Sequence, residues 1–303
     1  MIKRLGGWVE DRTGIAATMR HLLDEQIEGG ARWAYVFGSA LTIILGIQVV
    51  TGVLLMTAYS PAAHTAWPSV WYIQHRIGWG WLVRGVHHYG AQAMVIVLAF
   101  HLVQVSLYGA YKKPREINWW LGLGLMGATL GLALTGYLLP WDQKGYWATR
   151  VATNIAGGIP LVGGAIQTLL QGGPEYGHAT LTRFFALHVA ILPGALFALL
   201  FLHVALFRRH GVTPPAGADR SRIEPFWPHQ LAKDVIAGIV VFAAILAVTL
   251  ATGGAPLDAP ADPASEYPAR PEWYFLGLFQ LLKYFEGPLE LVGTVVLPGL
   301  VGA

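Results

Sequence analysis

The amino-acid sequence predicts an all-α integral membrane protein, built as a four-helix transmembrane bundle that is followed by one or two further transmembrane helices. Two observations support this fold class. Of the 303 residues, 54% are hydrophobic and 12% are charged, which is about half the charged share of an ordinary soluble domain. The hydrophobic residues are also collected into uncharged stretches, each long enough for the roughly 20 residues of a spanning helix.

Five of these stretches are placed as spanning helices, and a sixth begins near the C-terminus. They cover about residues 34–58, 86–109, 118–139, 184–207 and 234–252, with the sixth starting at about 288. The sixth stretch stops at Ala303 and is too short to cross a bilayer. We therefore expect either that the chain is a fragment or that an additional membrane subunit completes the C-terminal helices.

The stretches divide the chain into three predicted regions. Residues 1–33 form an N-terminal segment, in which Trp8 to Gly29 has the mixed charged and apolar character of an amphipathic helix on the membrane surface. Residues 34–210 form the four-helix domain. Residues 211–303 form a C-terminal domain with the fifth helix, a long loop and the start of the sixth helix.

The distribution of Lys and Arg predicts the orientation. Residues 1–32 hold five of these cations, the loop 110–117 holds three, and the loop 208–233 holds five. By the positive-inside rule these segments face the cytoplasm. We expect a multi-pass protein of a bacterial inner membrane with a cytoplasmic N-terminus. The net charge of +3 is explained by this bias, and nucleic-acid binding is not implied.

Four histidines in two of the predicted helices are the candidate cofactor ligands. His87 and His101 are fourteen residues apart, and His188 and His203 are fifteen apart. Fourteen helical steps return to within about 40° of the starting direction and rise about 21 Å. The spacing therefore predicts two stacked sites, each with one histidine from each helix.

Ligation of a heme iron by two histidines would give imidazoles inside the bilayer the polar partner that they need. It would also leave no open coordination position on the iron, which suits electron transfer. A zinc or proton-relay site is the main alternative. Such sites usually gather their ligands at one depth and include Asp or Glu. The chain has no cysteine, so a thioether-linked heme is not expected.

Four glycines repeat the interval of the histidines. Gly38 and Gly52 in the first helix are fourteen residues apart, as are Gly122 and Gly136 in the third. Glycine would clear space for a macrocycle between facing helices. The alternative is the close helix packing through small residues that is ordinary in membranes.

Two arginines lie at the membrane edge next to two of the histidines. Arg84 precedes His87 by three residues, and Arg183 precedes His188 by five. Each arginine is a candidate partner for a heme propionate. The alternative is that each arginine only anchors its helix at the interface.

Several segments resemble the cytochrome b family of bc-type complexes, in order and spacing, from about Arg32 to Phe285. They are FGSALTIILGIQVVTG (37–52), RGVHHYGA (84–91), GYLLPWDQKGYWA (136–148), TLTRFFALH (180–188) and PEWYF (271–275). The fifteen-residue histidine spacing is similar to the photosynthetic branch. Continuity of the chain through the PEWY loop is similar to the respiratory branch.

The resemblance implies two noncovalent b hemes. His87 and His188 would ligate a lower-potential heme near the positive side of the membrane, and His101 and His203 a higher-potential heme near the negative side. Val36 stands where photosynthetic relatives carry a cysteine for an extra c-type heme, so that heme is not expected.

Glu272 is the candidate base for quinol oxidation, with Tyr274 beside it and Tyr137 in the facing wall formed by Gly136 and the segment 141–159. Partial burial of this carboxylate would raise its pKa toward a useful range. The segment 141–159 has the mixed character of a helix along the membrane surface. In the alternative interpretation, the PEWY segment only begins a short interfacial helix.

Arg208, Lys233 and Asp234 are the candidate residues of a quinone-reduction site, although they could be flanking residues that extend toward the interface. The resemblance implies a quinol:cytochrome c, or plastocyanin-like acceptor, oxidoreductase. One electron would leave to a Rieske-type iron–sulfur protein, and the other would cross both hemes to quinone, coupled to proton translocation in a Q cycle.

The partners implied are the iron–sulfur protein, a c-type cytochrome subunit and a second copy of the complex, in a dimer. The residues by themselves are also compatible with two other functions. One is a passive di-heme anchor that connects quinone to a peripheral dehydrogenase, which would need the histidines but not the PEWY loop. The other is a histidine-lined ion or metal transporter.

Overall fold

The computed structural model describes residues 2–268, 270–285, 287–289 and 292–297. Within these residues, five helical segments are long and apolar enough to cross a membrane, and they are Trp33–Met56, Gly80–Leu107, Glu116–Leu138, His178–His210 and Phe226–Thr252. They match the five predicted spans, so the all-α membrane fold is confirmed. The predicted sixth span lies largely outside the described residues.

The described part of the chain is a succession of α-helices. The α-helices of the described part are α1 (Ile2–Thr13), α2 (Ile15–Leu23), α3 (Val36–Met56), α4 (Ala66–His75), α5 (Gly80–Leu107), α6 (Glu116–Leu138), α7 (Gln143–Gly157), α8 (Gly163–Gln171), α9 (His178–Ala186), α10 (Leu192–His210), α11 (Leu231–Thr252) and α12 (Leu276–Leu282). A π-helical turn, Leu187–Ile191, joins α9 to α10 in one span.

The spanning helices form two closely packed pairs. Helix α3 packs along α5, α6 packs along α10, and α11 lies against both α3 and α5. Gly85 lets α11 approach α5, because a Cβ at this position would overlap the methyl group of Thr249. Such close backbone approach is a main source of attraction between helices in lipid. The two pairs meet more loosely, through α5 and α6.

The outer surface of the bundle is apolar, as expected for helices that face lipid. Large exposed side chains occur on each spanning segment, including Val50, Phe100, Trp120, Phe201 and Val240. A soluble protein rarely exposes a continuous apolar surface of this extent. The exposure therefore agrees with the membrane assignment made from composition.

The N-terminal segment differs from its prediction. Instead of one amphipathic helix over 8–29, the chain forms α1 and α2, which are separated at Gly14 with φ of 60°. Glycine adopts this left-handed conformation readily. The Glu10 carboxylate then accepts hydrogen bonds from the backbone N–H groups of Ala16 (2.6 Å) and Ala17 (3.0 Å), which caps the start of α2.

A short strand, β1 (Gln26–Glu28), follows α2 and pairs antiparallel with β2 (Ile223–Pro225), with Ile27 opposite Glu224. This pairing ties the N-terminal segment to the connection between α10 and α11. Arg115 Nη2, at the start of α6, donates to the carbonyl oxygen of His210 (2.7 Å). The three segments rich in Lys and Arg therefore share one end of the bundle, called the N-terminal end below.

The opposite end is called the α7 end and consists of α7, α8 and the described part of the loop 253–275. Helix α7 confirms the predicted surface helix in the segment 141–159. Asp142 caps it by accepting from the N–H of Gly145 (2.9 Å) and also accepts from the N–H of Asp258 (3.3 Å). Burial raises the pKa of Asp142, although both hydrogen bonds oppose this effect. The loop is thereby attached to the start of α7.

Candidate functional site

His87 and His188 face each other near the α7 end, from α5 and from the π-helical turn. Their ring centroids are 6.2 Å apart and the rings are inclined by 76°. Two imidazoles that bind one metal ion through nitrogen, at about 2.0–2.1 Å each, have centroids roughly 6 Å apart. The separation therefore fits a heme iron held between the two rings.

A glycine lies against each of these two rings. A Cβ on Gly52 of α3 would lie 3.2 Å from Cε1 of His87, and a Cβ on Gly136 of α6 would lie 2.5 Å from Cε1 of His188. Any side chain at Gly136 would displace the imidazole. These glycines therefore make room for the histidine rings, in addition to the clearance for a macrocycle that the sequence predicted.

The same arrangement recurs toward the N-terminal end with more space. A Cβ on Gly38 would lie 3.8 Å from Cε1 of His101, and a Cβ on Gly122 would lie 3.5 Å from Cε1 of His203. His101 is on α5 and His203 is on α10. Each predicted ligand thus faces one predicted glycine from the neighbouring helix, at two depths of the bundle.

Backbone carbonyl groups orient two of the histidines. Nδ1 of His188 lies 3.1 Å from the carbonyl oxygen of Leu132, and Nδ1 of His203 lies 3.1 Å from that of Asn118. A carbonyl oxygen only accepts, so Nδ1 carries the proton in both rings and Nε2 is left as the unprotonated, metal-binding nitrogen. The tautomer of each ring therefore fits ligation.

His87 is oriented by a side chain. Nδ1 of His87 lies 2.9 Å from Oγ1 of Thr51, and this hydroxyl donates its own hydrogen to the carbonyl oxygen of Ile47 (2.7 Å). Thr51 therefore acts as the acceptor for His87. Nδ1 of His101 is buried and has no hydrogen-bond partner among the described residues. Thr51 was not identified from the sequence, although it directly precedes Gly52.

The π-helical turn explains the unequal histidine spacing. His188 lies within Leu187–Ile191, which precedes α10. A π-turn has i→i+5 hydrogen bonds and adds one residue to a helix. Fifteen residues between His188 and His203 therefore cover about the same number of turns as the fourteen between His87 and His101.

The two arginines predicted to contact propionates bind backbone carbonyl groups in this structure. The buried guanidinium of Arg84 donates to the carbonyl oxygens of Ala255 (2.8 Å) and Pro256 (2.7 Å), in the loop after α11, and to the side chain of Gln74. The exposed Arg183 donates to carbonyl groups near the end of α8. Both residues fasten the α7 end, and their contact with a heme stays a prediction.

Glu272 lies at the α7 end, where its carboxylate forms an ion pair with Lys144 of α7. Lys144 Nζ is 2.7 Å from Oε1 of Glu272, and 11% of the Glu272 side chain is exposed. Burial raises the pKa of Glu272, but the hydrogen bond and charge of Lys144, together with smaller effects of His88 and Gln92, outweigh burial, so the pKa lies below its ordinary value. The predicted rise is therefore wrong, because the sequence did not reveal the lysine 128 positions earlier.

Tyr137 and Tyr274, the two tyrosines predicted at this site, are close enough to Glu272 for its charge to act on their hydroxyl groups. Tyr274 follows it closely in the chain, and burial, followed by the charge of Glu272, raises the pKa of that phenol. Tyr137, at the end of α6, has a buried hydroxyl group without a hydrogen-bond partner among the described residues. The hydroxyl group of Tyr137 is therefore available as a donor to a ligand.

The PEWY segment also begins a helix, as the alternative interpretation expected. A 3₁₀ turn, Trp273–Phe275, leads into α12. Trp273 donates its indole N–H to the side chain of Gln92 on α5. The segment therefore has a structural role in addition to the placement of Glu272, and the two interpretations do not exclude each other.

The three candidate residues for quinone reduction have different partners in the structure. Asp234 is buried and accepts from Ser39 Oγ (3.0 Å) on α3 and from Gln230 Nε2 (2.8 Å). Arg208 instead pairs with Glu25 of the N-terminal segment. Lys233 donates to the carbonyl oxygen of His229, in its own helical segment (3.2 Å). Ser39 and Gln230 were missed from the sequence, although Ser39 is adjacent to Gly38.

Comparisons with known proteins agree on one family. The family profile described as Cytochrome b(N-terminal)/b6/petB matches residues 92–260. The menaquinol:cytochrome c reductase cytochrome b subunit of Geobacillus thermodenitrificans is 40% identical over 223 residues, which cover 71% of this chain and 100% of that protein. Cytochrome b of Rhodobacter capsulatus is 34% identical over 300 residues, which cover 94% of this chain and 68% of that protein.

One further relative and a solved structure extend this set. Cytochrome b6 of Synechocystis is 36% identical over 208 residues, which cover 69% of this chain and 94% of that protein. The solved structure described as a hyperthermophilic respiratory Complex III matches with a TM-score of 0.84 and 28% identity, over 97% of this chain and 80% of that chain.

Proposed function

The chain belongs to the cytochrome b(N-terminal)/b6/petB family, and from that premise we propose that it is the di-heme, quinol-oxidising subunit of its bc-type complex. It is an integral, multi-pass membrane protein of electron transport. The observation that carries the proposal is the repetition of one arrangement at two depths. At each depth a histidine from α5 and one from the fourth span each face a glycine.

We assign two noncovalent b hemes to these two levels. His87 and His188 would hold one iron near the α7 end, and His101 and His203 the other near the N-terminal end. When bound, the hemes supply a one-electron path between the two ends of the bundle. The chain offers no cysteine for a thioether bond, which supports the noncovalent assignment.

Quinol oxidation is assigned to the α7 end. Glu272, already ionised beside Lys144, would accept the proton of one quinol hydroxyl group. Tyr137 and Tyr274 would donate hydrogen bonds to the quinol ring oxygens and orient the ring. A Rieske-type iron–sulfur protein would take the first electron at this end and pass it to a c-type cytochrome or plastocyanin-like acceptor.

Quinone reduction is assigned to the N-terminal end. The polar group formed by Asp234, Ser39 and Gln230 can hydrogen-bond a quinone carbonyl and deliver a proton. Arg208 and Lys233 would be flanking cations of this site. With the N-terminal end in the cytoplasm of a bacterial inner membrane, proton uptake and release would occur on opposite sides and complete a Q cycle, in a dimer of such complexes.

Two measurements test this function. Reduced-minus-oxidised spectra of the purified complex should show two b-type bands, and the absence of both would exclude the di-heme assignment. Glu272→Gln should then slow quinol oxidation with both bands intact. Unchanged turnover of this variant would favour the passive di-heme anchor, which does not use the PEWY loop.

A further inference from the structure

Lys144 contacts two residues of the proposed oxidation site at once. Its ammonium nitrogen lies 2.7 Å from Oε1 of Glu272 and 5.6 Å from the ring centroid of Tyr137. The lysine belongs to the first turn of α7, and Glu272 belongs to the loop before α12. A single side chain therefore connects three separate elements that surround the proposed quinol position.

The other groups near Glu272 are the uncharged amide of Gln92 on α5, which hydrogen-bonds the carboxylate, and three titratable side chains. His88 of α5, Tyr137 of α6 and the neighbouring Tyr274 are the further titratable groups that affect or sense its charge. Among the described residues, Lys144 is the cation that both hydrogen-bonds the carboxylate and opposes its charge. Its removal would leave a largely buried carboxylate without a charged partner, which is unfavourable for the ionised form.

The exposure of the two partners differs. Of the Lys144 side chain, 37% is exposed, against 11% for Glu272. The ion pair therefore connects a mostly buried carboxylate to a side chain that reaches the aqueous face of the α7 end. A proton that arrives on Glu272 neutralises the carboxylate and so removes its electrostatic attraction to the Lys144 ammonium group.

We propose that Lys144 is a positioning residue of the quinol-oxidation site, which keeps the Glu272 carboxylate ionised and turned toward α7 before the substrate arrives. The inference rests on the function proposed above. In the step that it supports, an O–H bond of quinol breaks and an O–H bond forms on Glu272. The neutral carboxyl group then separates from Lys144, whose ammonium group turns to water, and the proton leaves Glu272 on the same face.

The test compares four variants in the intact complex. Lys144→Met removes the charge at similar length, and Lys144→Arg keeps the charge. Arg150→Gln is the matched control, because it also removes a cation from α7. The guanidinium of Arg150 lies over Trp147 and Tyr176 and not beside Glu272. Glu272→Gln shows which infrared band belongs to the Glu272 carboxyl group.

Two readouts are measured in each variant, after heme spectra show that both b-type bands are present. The first is the acid limb of kcat/KM for quinol oxidation against pH. The second is the infrared band of the protonated carboxyl group that Glu272→Gln removes, titrated without turnover. In Lys144→Met both midpoints should rise by up to about 0.7 pH unit, since an ion pair of this exposure contributes up to about 1 kcal/mol. Lys144→Arg and Arg150→Gln should keep the wild-type midpoints.

An unchanged infrared midpoint in Lys144→Met would overturn the role of Lys144. An equal rise in Arg150→Gln would also overturn it, because the effect would then come from net charge. Failure of the proposed function looks different. In that case Glu272→Gln itself leaves quinol turnover and its acid limb unchanged, whatever the infrared titration of Lys144→Met shows.

Discussion

Substitution of Gly136 by alanine is expected to move the imidazole of His188. A Cβ at this position would lie 2.5 Å from Cε1, 3.1 Å from Nδ1 and 3.2 Å from Nε2 of that ring. Nonbonded carbon atoms prefer about 3.5–4.0 Å, so the ring must shift by roughly 1 Å. All three distances involve the same ring, and the site cannot relieve them by a small rotation of one atom.

The expected free-energy change has two parts. Alanine is more favourable than glycine inside a helix by about 0.5–1 kcal/mol. Overpacking of a filled site costs about 1–3 kcal/mol. For Gly136→Ala the second part should exceed the first, with a net destabilisation of up to about 2 kcal/mol. For Gly127→Ala, on the same helix and with nothing within 4 Å of the added Cβ, only the favourable part should apply.

The assay is the heme content per protein, from reduced-minus-oxidised spectra, together with thermal unfolding of the purified complex. Gly136→Ala should lose the b-type band of the heme assigned to His87 and His188 and keep the other band. Gly127→Ala should keep both bands and the wild-type unfolding temperature or slightly more. If Gly127→Ala loses as much heme as Gly136→Ala, the clearance distances do not control heme binding and the reasoning is refuted.

Three further outcomes are expected. Thr51→Val removes the acceptor from His87 Nδ1, so heme affinity should fall about 10-fold and the midpoint potential of that heme should rise in a redox titration. Arg84→Gln leaves carbonyl groups of the loop after α11 without their charged donor, which should cost about 2–3 kcal/mol in thermal unfolding. Burial raises the pKa of Asp142, so its contribution to stability is present below the ordinary Asp pKa and is lost as the pH rises through the raised value. Asp142→Asn keeps the cap acceptor and should remove this part of the pH dependence of unfolding.

The spanning helices and the spacing of the candidate ligands were predictable because both depend on local periodicity. Uncharged stretches of sufficient length identify spans, and a fourteen-residue interval places residues on one helix face. The N-terminal segment shows where this reasoning fails. The pattern over 8–29 suggested one helix, whereas Gly14 adopts a left-handed conformation and Glu10 caps a second helix.

The charge state of Glu272 was not predictable in the same way. Partial burial was inferred correctly, and burial does raise the pKa. The net direction depends on Lys144, which is remote in sequence and has no periodic relation to the PEWY segment. In a similar way, Ser39 and Asp234 are 195 positions apart and meet only because α11 packs against α3.

By itself, the sequence determined the membrane fold class, the five spans, the four histidines and the four glycines, since each of these follows from composition or from spacing along one helix. Only the tertiary structure decided which glycine faces which histidine, which groups orient the imidazoles and which cation pairs with Glu272. The physical reason is that these contacts join different helices. Their geometry depends on how the helices pack, and no local pattern in the chain encodes that packing.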